Sequence, residues 1–178
     1  MTIRAPVLAD APQMVDIWNQ NVPAILAYAP GSIELLTLAS AQGLITSPDI
    51  SLYVSATGGG TLDGFFFAFR HGKTLQGEEE FSSIPMRLND LTGTAAQKAA
   101  KWSLRLRTTG KALVLAWLQD ARARGVAECY GDVPLAAPAA LIGMFDVMQV
   151  DDAVQPRAGF KRYRATPANA IAGIARIV

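Results

Sequence analysis

The run Asp63-Gly-Phe-Phe-Phe-Ala-Phe69 places the tightest limit on how this chain can fold, because four of the five positions from Phe65 to Phe69 are phenylalanine. A strand with one wet face alternates apolar and polar residues, whereas this one leaves no set of side chains to meet water. It requires a covering layer on both faces, and therefore a central place in a sheet. Gly58-Gly-Gly60 separates it from a second β-rich run, Ser51-Leu-Tyr-Val-Ser-Ala56, and such a glycine cluster between strands predicts a hairpin. Few basic residues interleave with the phenylalanines, so the rings read as two-sided packing and not as a platform for stacked bases.

The covering layers have to come from the flanks. Asp10 is placed to cap a helix with Pro12 in its first turn, and Met14, Ile17, Trp18 and Val22 form an apolar stripe at helical spacing. Ser32 is placed to cap a second helix over residues 33–42, stopped by Gly43. The segment from Gly110 to Gly125 is apolar on nearly every side between Ala112 and Leu118, as a buried crossover helix must be. Thr94 to Trp102 can begin as helix, Trp102 to Leu106 reads as the strand before the crossover helix and residues 126–131 as the strand after it, with a further helix over 136–148. Residues 71–98 break any two-residue period with Glu78-Glu-Glu80, Pro85 and several glycines. They read as a surface insertion outside the sheet, with the three acids on a solvated face. At 178 residues the chain suits one domain over 1–178, which buries roughly 70% of its unfolded surface.

Charge and cysteine content exclude several classes. Sixteen basic against 15 acidic side chains give a net charge of +1, which favours neither nucleic acid nor an anionic membrane. Residues 101–178 hold 11 of the basic and 6 of the acidic groups. Cys129 is the one cysteine, so no intrachain disulfide is possible. The first residues lack a basic segment followed by an apolar run, and a cytoplasmic location is expected. No apolar run approaches the roughly 18 residues of a membrane span. His71 is the one histidine and reads as a surface residue at a strand end, and no metal site is expected. An apolar fraction of 51% points to some surface buried against a partner.

Arg107-Thr-Thr-Gly-Lys-Ala112 runs straight into the apolar helix. Read as strand, glycine turn and helix start, it would present unpaired N–H groups and the positive end of the helix dipole to a phosphate. The same residues also suit a plain strand-to-helix turn with no ligand. Arg-x-x-Gly-x-Ala at the mouth of a long helix resembles the acyl-CoA pyrophosphate loop of the GNAT superfamily of N-acyltransferases. Other runs follow in that family's order: Ile3 to Asn19 resembles its first strand and helix, Ser51 to Phe69 its second and third strands, and Gly159-Phe160 the opening of its last strand.

The resemblance implies an α/β fold: a mixed, twisted sheet of six to seven strands with helices on both faces. It implies transfer of an acetyl group from acetyl-CoA to an amine of a small molecule or protein. Leu104, Leu106, Arg107, Thr108, Thr109, Gly110, Lys111 and Ala112 would bind the acetyl-CoA, with a backbone N–H between Leu104 and Arg107 polarising the thioester. Tyr28, beside the Pro30-Gly31 turn, would contact the acceptor, and the 71–98 insertion would cover the acceptor side or meet a partner. The family's proton-donating tyrosine has no counterpart, since Pro138, Phe145 and Gln155 stand near its place. Tyr130 is the nearest phenol to act as the acid, and Glu128 or Asp132 the nearest base. The absent tyrosine leaves an alternative open: a non-catalytic protein of the same fold, a homo-oligomer or part of a larger, phage-like assembly.

Overall fold

A computed structural model of the chain describes residues 1–31, 33–70, 77–150 and 158–176. Seven strands, β1 (Thr2–Arg4), β2 (Ile50–Ala56), β3 (Leu62–Arg70), β4 (Glu78–Ser83), β5 (Glu128–Pro134), β6 (Gln149–Val150) and β7 (Phe160–Ala165), form one sheet in the order β1-β2-β3-β4-β5-β7-β6. All neighbours are antiparallel except β4 and β5. A parallel pair needs a long crossover, and helices α3 (Ala95–Arg105) and α4 (Lys111–Ala123) supply it. The remaining helices are α1 (Ala11–Tyr28), α2 (Leu38–Thr46), α5 (Ala139–Phe145) and α6 (Pro167–Ala175).

β3 is central, as its phenylalanines require. Phe65 and Phe67 join Met14 and Ile17 of α1 in one apolar cluster, while Phe66 and Ala68 join Leu113, Trp117 and Leu118 of α4 in another. The Phe66 and Trp117 ring centroids are 4.9 Å apart. Burying each of these rings contributes about 1.5–3 kcal/mol, so the strand ties both layers together.

Several expectations fail, each for a local physical reason. Residues 78–83 are not surface structure: they form β4, between β3 and β5, and Glu79 is 2% exposed. Its carboxylate accepts from Trp117 Nε1 at 2.6 Å and Ser51 Oγ at 3.1 Å and meets the Arg124 guanidinium, so burial leaves no uncompensated charge. Residues 102–106 are helical instead of extended. Thr94 starts α3 with a capping box, its Oγ1 accepting from Gln97 N and Gln97 Oε1 accepting from Thr94 N. The second helix begins later than expected because Thr37 caps it, and Gly43 lies inside it. Asp10 does not cap α1; its carboxylate is bound by both Arg4 guanidinium nitrogens and by Val7 N. Helix α6, opened by Thr166 and Pro167, and the short β6 had no counterpart in the reading. Ser32, His71 and Gln155, together with residues 71–76 of the expected insertion, lie outside the described residues.

Candidate functional site

The site follows from where the parallel pair stops. β4 and β5 are paired only from Glu78 and Glu128 to Glu80 and Tyr130, although β4 continues to Ser83 and β5 to Pro134. Past that point the strands part, and the main-chain groups of residues 81–83 on that edge have no β5 partner. A cavity of about 570 Å³ fills the opening. Its walls come from Trp18, Asn21 and Tyr28 of α1, residues 33–36, Glu80 to Pro85, Trp102, Asp132 to Pro134, Leu141 and Phe160. Residues 33–36 are held over α1 by side chains: Trp18 Nε1 donates to Glu34 O at 2.7 Å, and Asn19 binds both main-chain groups of Leu36.

A second groove of about 370 Å³ lies beside the first, lined by Ser103, Arg107 and Lys111 and by residues 139, 140, 143 and 144 of α5. Trp102 and Ser103, and likewise Leu141 and Ala140, each contribute one residue to either space. The two are therefore neighbours across α3 and α5.

The structure changes the role of the Arg107–Ala112 run. Leu104 lies in α3, and Leu106–Gly110 is a π-helical turn that joins α3 to α4 without a break. Gly110 has helical angles, φ −62° and ψ −46°, and Lys111 N donates back to Leu106 O. The N–H groups expected to cradle a phosphate are thus consumed inside a continuous helix, and Leu104 and Leu106 offer no strand N–H to a thioester. Thr108 Oγ1 donates to Leu104 O at 2.9 Å and Thr109 is buried. Gly110 serves packing: a Cβ there would lie 2.8 Å from Leu106 Cδ1 and 3.2 Å from Ile84 Cδ1. Arg107 and Lys111 do remain on a groove, as side-chain cations.

The helix end that follows β4 lies instead at Thr94, after Thr92-Gly93, which has the same Gly-x-Ala spacing through Ala95. Gly93 adopts φ +111°, and a Cβ there would strike Gln97 Oε1 at 2.4 Å, so glycine is needed for the capping box. Residues 92–101 are all exposed, and this end lines neither cavity.

Of the expected catalytic groups, Tyr28 lines the cavity, and burial raises its phenol above the ordinary value. The Tyr130 hydroxyl donates to Glu80 Oε2 at 3.3 Å beneath the Arg162 guanidinium, 4.8 Å from the ring centre. Burial, with the Glu80 carboxylate beside it, pushes that phenol up to about 12, and Tyr130 is not part of the cavity wall. Glu128 is paired with Arg164 away from the opening. Asp132 lines the cavity but is held bidentately by Arg162 at 2.6 and 2.8 Å. Glu80, Asn21 and Trp18 are wall residues that the sequence reading missed. Glu80 had a signal in being two residues from Glu78 in a run that can be extended; Asn21 had none, since its position depends on the fold. Among the described residues no group of three or more His, Cys, Asp or Glu is arranged for a metal, and no helix is long and apolar enough to cross a membrane.

No protein-family model matches the sequence, and no curated protein is similar to it at a significant level. Solved structures are. The PaiA N-acetyltransferase of Thermoplasma acidophilum, in complex with coenzyme A, superposes with a TM-score of 0.67 at 14% identity, over 93% of this chain and 98% of that one. A ribosomal-protein-alanine N-acetyltransferase from Brucella melitensis gives 0.66 at 17% identity, over 93% and 99%. An acetyltransferase of the GNAT family from Staphylococcus aureus Mu50 gives 0.64 at 8%, over 93% and 98%. The chain has the GNAT fold. The sheet of seven strands agrees with the expectation, and identities this low carry the fold alone. The helical closure over residues 106–110 is accordingly a property of this GNAT-fold chain, read from its own coordinates.

Proposed function

We propose that the chain transfers an acyl group, acetyl foremost, from acyl-CoA to an amine held between β4 and β5. The observation that carries this reading is the early parting of the parallel strands, which opens a cavity of about 570 Å³. Main-chain donors of residues 81–83 that no strand uses are suited to polarise a carbonyl in that opening. Ile84, Pro85, Trp102 and Leu141 give it apolar walls. The neighbouring groove supplies Ser103, Arg107 and Lys111 for the phosphates, so charge on side chains replaces the helix end that the π turn closes. Acyl-CoA, as the second substrate, brings the activated thioester. Tyr28, raised by burial, stays protonated at neutral pH and is the phenol on the cavity wall, which makes it the better placed proton donor. Of the carboxylates on the wall, Glu80 lies on β4 where the strands part and is the one to take the amine proton. A cytoplasmic location is part of the same reading, with Cys129 a buried free thiol.

Calorimetric titration with acetyl-CoA, with thiol release measured across an amine panel, tests this. Binding is expected, and Arg107→Ala with Lys111→Ala should weaken it by about tenfold, the scale of two exposed charges. Unchanged binding in that double variant would remove the groove from the reading. One observation favours a second reading: the N–H groups of the resembling motif are used up in a helix. A non-catalytic module would keep the fold in this form and use exposed apolar side chains such as Leu35, Leu104 and Leu135, 57–67% exposed, in a homo-oligomer or larger assembly. No heat with acetyl-CoA, together with a concentration-dependent mass in ultracentrifugation, would favour it.

A further inference from the structure

We infer that Arg105 is a positioning residue: through Asp90 and Arg87 it fixes helix α3 as one wall of both the β4–β5 cavity and the groove beside it. α3 presents Trp102 to the cavity and Ser103 to the groove, yet none of its residues is buried. Residues 95–101 and Leu104 are exposed, and Trp102 is the α3 side chain that packs against the core. A helix with so little buried area opens at small free-energy cost, so its place depends on polar ties.

Arg105 makes the tie nearest the two walls. Its guanidinium meets Asp90 as a fork, Nη1 to Oδ1 at 2.8 Å and Nη2 to Oδ2 at 2.9 Å, and Nη1 also donates to Arg87 O. The far end of this tie is itself fastened. Arg87 N donates to Asp63 O at 2.8 Å and its Nη2 to Gln13 Oε1 at 3.0 Å, while Leu88 N and Asn89 N donate to Gln20 Oε1 at 3.0 and 3.1 Å. Residues 87–89 are thus bound to β3 and α1, and Arg105 carries that frame to α3. It does so within one turn of Trp102 and Ser103, and it lines neither space itself. Lys101 Nζ, by contrast, donates to Thr92 O at 2.8 Å and joins the helix only to its own lead-in. Asp90 is half-exposed, so the pair adds little to global stability. Its planar fork fixes geometry instead.

The inference rests on the acyl-transfer reading for what the two spaces hold, but the placing of α3 is measurable without acyl-CoA. Arg105→Ala, Arg105→Lys and Asp90→Ala are compared with the wild-type chain. In both alanine variants hydrogen exchange of the α3 amides should rise by about tenfold, with β2 and β3 unmoved and Tm within about 2 °C. Acrylamide should quench tryptophan emission more strongly, because Trp18 and Trp102 line the cavity while Trp117 is 1% exposed. Affinity for acetyl-CoA, by calorimetry, should fall by about threefold, as it would if the fraction of chains with the wall in place fell to about a third. Lysine keeps the charge and loses the fork, so Arg105→Lys should recover only part of each readout. Should Arg105→Ala fail to fold, Asp90→Ala removes the same fork from the half-exposed side. Unchanged α3 exchange would overturn the inference, as would faster exchange with unmoved quenching or with unmoved affinity in a chain that binds acetyl-CoA. Exchange raised throughout the chain together with a large loss of Tm would overturn it too. A looser α3 and stronger quenching in a chain that gives no heat with acetyl-CoA would uphold the inference and defeat acyl transfer. Acyl transfer equal in every variant, with α3 unmoved, would do the reverse.

Discussion

Glu79 and Glu80 are adjacent on β4 and face opposite ways. Glu79 points to α4 and is bound by Arg124, Trp117 Nε1 and Ser51 Oγ, with Arg70 at 3.8 Å. Glu80 points to the opening and lines the cavity beside Tyr130. The first is a charge whose partners are all supplied by the fold, a structural brace between sheet and crossover helix. The second borders space that a ligand can enter. A carboxylate enclosed on every side braces the fold, whereas one on a cavity wall keeps its partners in the chain and also faces open space.

The largest expected effect breaks the brace. Glu79→Ala strands the Trp117 N–H and the Ser51 hydroxyl and removes the buried partner of Arg124. It should cost about 3–5 kcal/mol, on the order of 10 °C in Tm for a chain of this size, read by thermal denaturation. Glu80→Gln should leave Tm within about 2 °C, since a change beside a cavity removes little packing. A comparable loss in both variants would erase the contrast between the two residues.

Next in size is the effect on turnover. Tyr28→Phe should lower acyl transfer by about a hundredfold, the lower end of general acid help, while Tyr130→Phe should change it little because its hydroxyl is engaged by Glu80. Steady-state kinetics on both variants decide which phenol serves the opening, and the opposite order would restore Tyr130.

A smaller effect probes the closed helix. Gly110→Ala gains helix propensity of about 1 kcal/mol but places a Cβ against Leu106, which is fully buried, at an overpacking cost of about 1–3 kcal/mol. The net result should be a slight destabilisation with the acetyl-CoA response retained. Loss of that response in a folded variant would return the phosphate site to the backbone of residues 107–112.

The smallest effect concerns pH. Tyr130 is raised from about 10 to about 12 by burial and then by Glu80, so the folded state holds its proton more firmly than the unfolded chain does. Its contribution is complete below about pH 10 and is lost as pH rises towards 12. Alkaline unfolding of Tyr130→Phe should accordingly show a shallower decline over that window. Asp10, lowered first by its hydrogen bonds from Arg4, works in the opposite direction. Its contribution is present above about pH 4 and is lost as pH falls through its lowered value.

Local pattern was enough for the hairpin at Gly58–Gly60, the two-sided phenylalanine strand, the stripe of α1 and the apolar crossover helix. In each, the residues that decide the structure lie within one or two turns of one another, so periodicity and turn chemistry speak directly. The family resemblance rested on such pieces in order, and the fold agrees with it. β4 was illegible because its acids are satisfied at long range: Glu79 by Arg124, 45 positions away, and Glu78 by Arg164, 86 positions away. Without those partners, three consecutive glutamates read as solvated. The Arg107–Ala112 run failed for a related reason, since whether a glycine opens a helix or sits inside one depends on what precedes it. Here the helix that the box at Thr94 starts runs on through residues 102–110 instead of giving way to a strand. The cavity belongs wholly to the assembled chain: Asn21 is fixed in its wall only when Met86 O, 65 positions on, accepts from its amide. Short-range sterics and periodicity are written in the order of residues, whereas a buried charge or a cavity wall is defined by neighbours that the chain brings together only on folding.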